Sequence, residues 1–99
     1  MMYVKDGSLL TDDGYLVEAI AVTPLEDYKV LVELETGKKI VFDMTPYLDE
    51  PYFEGLRDKK VFDAVVWEDY GAPAWMDESI GLNAIMGLCT IFEDGEHIN

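Results

Sequence analysis

His97 and Cys89 are the chain's single histidine and single cysteine. These residue types often do acid–base and nucleophilic work near neutral pH. Their positions count against both roles. A catalytic imidazole needs a neighbour that fixes its tautomer and orientation. His97 falls in the terminal stretch 93–99, which is expected to fray. Cys89 lies on an apolar stripe, and no Lys or Arg follows Lys60 to stabilise a thiolate. It reads as a small buried hydrophobe. One His and one Cys cannot complete an ordinary zinc site within one chain, so neither a metal nor a cofactor is expected.

Carboxylates are the abundant chemistry. Asp12-Asp13, Glu26-Asp27, Asp49-Glu50, Glu68-Asp69, Asp77-Glu78 and Glu93-Asp94 are adjacent pairs. A carboxylate pair can act as general acid and base, but no spacing singles one out. None fits the spacing of a calcium loop, and Asp6-Gly7 and Asp13-Gly14 read as turns. No phosphate-binding loop, dinucleotide fingerprint or nucleophile elbow is present. Aromatic residues cluster more tellingly. Tyr47, Tyr52, Phe53 and Phe62 bracket one loop, and Trp67, Tyr70 and Trp75 the next. Most are expected in the core. The candidate partner surface is Tyr70 and Trp75, rimmed by Glu68, Asp69, Asp77 and Glu78, with a core position for Trp75 as the competing reading.

Charge narrows the partner. Twenty-one acidic residues against seven basic ones give a net charge of −14 across 99 residues. Nucleic-acid binding needs a cationic footprint, and anionic membranes favour one. Neither is an expected partner. The acidic surface serves solubility, or it steers the chain toward a basic protein. No apolar run is long enough to span a membrane and no secretory signal is visible, which with the lone cysteine points to a reducing cytoplasm.

Residues 28–44 must position much of this. Tyr28, Val30, Val32 and Leu34 alternate with Lys29, Leu31, Glu33 and Glu35, and Ile40, Phe42 and Met44 with Lys39, Val41 and Asp43. A two-residue loop would set Val30 opposite Asp43. The three-residue loop Glu35-Thr36-Gly37 instead pairs Val32 with Ile40, Val30 with Phe42 and Tyr28 with Met44. It also sets Glu33 opposite Lys39 and Lys29 opposite Asp43. Only this register separates an apolar face from an ion-paired one, and it requires φ > 0 at Gly37.

Around the hairpin, Met1 to Gly14 reads as an edge segment and Val17 to Thr23 as a strand stopped by Pro24. Leu25-Glu26-Asp27 is the turn into the hairpin. A short helix is expected with Thr45 as N-cap and Pro46 at its first position, interrupted by Pro51. Phe53 and Leu56 are expected to plug the open end of the sheet. Val61 to Trp67 reads as a strand, and another short strand ends near Trp75. Leu82, Ile85, Cys89 and Phe92 recur at helical spacing, giving a helix over Leu82 to Thr90, with a strand over Leu88 to Phe92 as the alternative. The fold class is α+β: one compact domain over 1–99, with a mainly antiparallel sheet and one or two short helices.

The order of these features resembles a family. It is carried by the segment from Ile20 to Val32 with Pro24 and Tyr28, then Thr36-Gly37. Val41 to Leu48 with Asp43 and Pro46 follows, and then Phe53, Leu56, Asp58 and Phe62. Over about residues 17–82 the chain looks like the small bacterial "domain of unknown function 2442". Trp75 to Glu78 and Ile80-Gly81-Leu82 match its later signature in part, with Gly81 where the family usually has Asp. The resemblance implies a compact α+β domain and no established activity. Some relatives carry a helix-turn-helix domain, and relatives often look like one half of a toxin–antitoxin-like pair. At this length the chain is expected to lack the DNA-binding part and to act through a partner. The expected function is a non-enzymatic, acidic protein-interaction or regulatory module; the alternative is a small hydrolase or isomerase using a carboxylate pair.

Overall fold

The apolar alternation read in residues 28–44 becomes the centre of a four-stranded antiparallel sheet. The structure is a computed structural model that describes residues 1–98. In chain order its elements are β1 (Tyr3–Lys5), β2 (Ser8–Leu10), β3 (Ala19–Pro24), β4 (Lys29–Leu34), β5 (Lys39–Asp43), α1 (Lys59–Phe62), β6 (Ala74–Asp77), β7 (Leu82–Ile85), α2 (Leu88–Asp94) and β8 (Glu96–His97). The strands form three antiparallel groups, β1-β2, β3-β4-β5-β8 and β6-β7. The fold is α+β.

The hairpin has the expected register. Val30 stands opposite Phe42, Val32 opposite Ile40, Glu33 opposite Lys39 and Lys29 opposite Asp43. Val30, Val32, Ile40, Phe42 and Met44 are buried, while Lys39 and Glu33 meet on the other face at 3.8 Å. Gly37 takes φ 91°, where a side chain would strain the turn. The Met44 amide donates to the Tyr28 carbonyl at 2.8 Å, closing the pair beyond the ladder. β3 extends the sheet, with a bulge between Ala19 and Ala21 that turns Ile20 out to solvent.

Several local expectations give way. The turn after Met44 is a short 3-10 helix, Thr45–Tyr47. Thr45 is not its N-cap: Met44 holds that place, and Asp43 Oδ1 accepts from the Thr45 amide at 2.9 Å. Val61 to Trp67 is not a strand. Val61 and Phe62 end α1, whose N-cap Asp58 accepts from the Lys60 amide at 3.0 Å, and from this stretch Val66 alone makes a bridge, to Ala74. Leu82 to Ile85 is strand rather than helix, and the helix begins at Leu88. Leu82, Ala84 and Met86 point inward with period two, so the apparent helical stripe straddled the boundary at Gly87.

Over its described part the terminal stretch forms regular elements. Glu93 and Asp94 complete α2, Glu96 and His97 pair with Val41 and Ile40 of β5, and the Ile98 amide donates to the Lys39 carbonyl. Asn99 lies outside the described residues. Gly95 permits the return: a Cβ there would overlap the Ile40 side chain and the Ile91 carbonyl oxygen. Phe53 and Leu56 are buried, as expected of plugs. No helix is long and apolar enough to cross a membrane among the described residues.

Candidate functional site

The six residues of the expected partner surface divide. Trp75 is 1% exposed. Its indole Nε1 donates to the Phe62 carbonyl at 2.9 Å, and its ring stacks on Phe62 at 5.8 Å. Tyr28 meets Phe62 edge-on at 5.2 Å, so the three rings join α1, β6 and the central sheet. Trp75 is therefore core and leaves the proposed patch, because its indole N–H has a buried partner that a surface position would not provide.

Tyr70 is 44% exposed. It belongs to a turn in which the Gly71 amide donates to the Trp67 carbonyl at 2.8 Å. The Gly71 carbonyl in turn accepts from the Ala19 amide at 2.8 Å. This seats the turn that carries Tyr70 beside Glu18 and Ala19 at the start of β3. Glu68 and Asp69 are exposed on the same turn. Asp77 is partly committed: its Oδ1 accepts from the Ser79 amide at 3.0 Å and the Ser79 hydroxyl at 2.6 Å, capping a 3-10 helix at Glu78–Ile80. Glu78 is exposed on that helix.

Other carboxylates also have local duties. Asp12 pairs with the N-terminal ammonium at 2.7 Å, Asp49 with Arg57, and Asp63 with Lys59 at 2.6 Å. Cys89 is half-buried, and burial first and the Glu93 charge second push its thiol pKa above the ordinary value. That disfavours the reactive thiolate. His97 Nε2 lies 2.8 Å from the Phe92 carbonyl oxygen, and its ring packs edge-on against Phe92.

The β6–β7 sheet carries the feature that residue-by-residue reading missed. Met86 donates to the Pro73 carbonyl at 2.9 Å, and the register sets Ala74 opposite Ile85, Trp75 opposite Ala84 and Met76 opposite Asn83. Bonded pairs recur every second residue in an antiparallel ladder. Trp75 and Ala84 therefore bond to each other, while the peptide groups of Asn83 and Ile85 turn to the outer side of β7. The Ile85 amide confirms that direction by donating to the Tyr52 hydroxyl at 3.2 Å. On the opposite side, Ala74 exchanges 2.8 Å bonds with Val66.

Beside the outer side of β7 runs an open groove of ≈ 700 Å³, with Tyr52, Glu54 and Gly55 on one wall and residues 80–83 on the other. Tyr52 and Ile80 are 53% and 54% exposed, and Met76 and Ile85 are also exposed on this small sheet. The charged residue lining the groove is Glu54. By contrast, the hollow at the β6 side holds Lys60. An alternation test on Leu82, Ala84 and Met86 would have exposed the strand, but the unpaired edge depends on what fails to pack beside it.

Comparison with curated proteins and with solved structures finds no match. Residues 19–73 match the family described as "Protein of unknown function (DUF2442)". The match runs from the first residue of β3 to the residue before β6, leaving Trp75 to Leu82 outside it although the sequence resemblance reached that far. Covering more than half of the 99 residues, it places the chain in that family of unknown function.

Proposed function

We propose that the chain is a non-enzymatic binding module that docks a basic protein partner in a reducing cytoplasm. The observation supporting this is the coincidence of exposed Tyr52, Met76, Ile80 and Ile85 around the β6–β7 sheet with a chain segment that contains no Lys or Arg after residue 60. The apolar side chains supply contact area. The acidic field accelerates encounter with a cationic surface and disfavours nucleic acid. Following the family resemblance, the partner is the other half of a two-protein regulatory unit of the toxin–antitoxin kind.

The test is the association rate of the natively captured partner with the wild-type chain and with Glu68→Lys/Asp69→Lys/Glu78→Lys, at low and high salt. The three residues are exposed, so the fold is expected to survive. Reversal should slow association about tenfold or more at low salt, with the gap closing as salt rises. Equal rates at both salt levels would overturn the reading.

A further inference from the structure

We infer that the outer edge of β7 takes up an extended basic peptide segment of the partner as an added strand. This rests on the binding-module reading and specifies its site and ligand. Three independent features converge. The first is backbone chemistry. Asn83 turns its N–H and C=O outward, and no described residue hydrogen-bonds them. The Ile85 C=O faces the same way. Such groups template an incoming strand.

The second feature is shape. The groove beside this edge is open, and Gly55 contributes no side chain to block it; a Cβ at Gly55 would lie 3.4 Å from Ile80 Cδ1. Exposed Tyr52 and Ile80 flank the place where alternate side chains of an added strand would lie.

The third feature is charge, which selects the occupant. Glu54 lines the groove and Glu78 stands on the 3-10 helix leading into β7, with no Lys or Arg in the lining. A second copy of the chain would bring a further net charge of −14 to the contact, which disfavours self-pairing here. A Lys- or Arg-bearing strand meets opposite charge instead.

Tyr52 has a defined part in this arrangement. Its hydroxyl already occupies the Ile85 amide, so it ends the free edge at that residue. Removing the hydroxyl would extend the edge by one donor.

The experiment uses the full chain and a synthetic peptide of alternating Lys and Val. Controls are an alternating Glu and Val peptide and a Lys/Val peptide N-methylated at every second residue on its bonding edge. Backbone amide exchange and chemical shifts are read together with affinity. The Lys/Val peptide should protect the Asn83 amide, and methylation should weaken binding about fivefold or more per lost bond. Asn83→Pro, which removes an outward N–H at an edge position where proline is tolerated, should weaken it similarly. Tyr52→Phe should bind at least as tightly as wild type and newly protect the Ile85 amide. This readout decides the matter even if Asn83→Pro fails to fold. Glu54→Lys should lower affinity with a reduced salt dependence.

Tight binding of the Lys/Val peptide that ignores methylation and shifts resonances around Tyr70 and Ile20 would overturn the strand-addition site and leave the basic-partner reading standing. No preference for Lys/Val over Glu/Val peptide would overturn both.

Discussion

At the scale of single residues, Trp75 and Tyr70 show how two aromatics five positions apart on one loop acquire opposite fates. Both were legible as aromatics beside a Gly-x-Pro loop; which one had a buried hydrogen-bond partner was not, because the Phe62 carbonyl that meets Trp75 lies thirteen residues away at the end of α1. Trp75→Ala is expected to cost about 3–5 kcal/mol by leaving a cavity beside Phe62. Tyr70→Ala should stay within about 0.5 kcal/mol, as most exposed substitutions do. Denaturant titration of both variants checks this, and a tolerated Trp75→Ala would place the indole outside the core. Cys89 and Tyr47 contribute to the alkaline pH response. Burial, then the Glu93 charge, raises the Cys89 pKa, and burial, then Asp94 and Glu50, raises that of Tyr47. The folded state then binds these protons more tightly than the unfolded chain. Their contribution is complete below the unfolded pKa values and is lost as pH rises through the folded ones. Unfolding midpoints should therefore fall from roughly pH 8.5, the unfolded thiol value, upward. The fall should be shallower in Cys89→Ala over the thiol range. A midpoint equally steep in both chains there would remove Cys89 from the response.

At the scale of elements, legibility followed how many independent signals agreed. The β4–β5 register was readable because face segregation, cross-strand charge and Gly37 all selected one alignment. The four-residue α1 had no comparable redundancy. Val61, Val65 and Val66 favour strand, and the outcome turned on Asp58 capping the helix and Phe62 entering the aromatic cluster. The stretch from Leu82 to Phe92 failed for a different reason. Two periods meet at Gly87, and a window spanning both produces a stripe belonging to neither. Near the end of the chain, Gly95 is a point of close backbone approach, which no periodicity in the sequence signals. Gly95→Ala is expected to destabilise the chain by about 1–3 kcal/mol through overpacking. It should also raise amide exchange at Ile98, whose N–H bonds Lys39. Unchanged exchange there would show that the contact relaxes freely.

At the scale of the whole molecule, net charge dominates. With −14 over 99 residues, the purified chain should not retain DNA or RNA at about 150 mM salt, since phosphate neutralisation has no cationic source on the scale binding requires. A retained nucleic acid with a steep salt slope would refute this. The same charge leaves β3, β4 and β5 in a field that resists association between copies. That resistance has a second, steric component in β8. Its two residues pair with Ile40 and Val41 on β5 and stand as the last strand of the four-stranded sheet. Proteolytic clipping near Gly95 would uncover a β-branched edge flanked by Thr36-Gly37 and would remove Glu96 from its rim. The trimmed chain would then nucleate edge-to-edge aggregates, so the terminal strand doubles as a gatekeeper whose loss should appear as time-dependent light scattering.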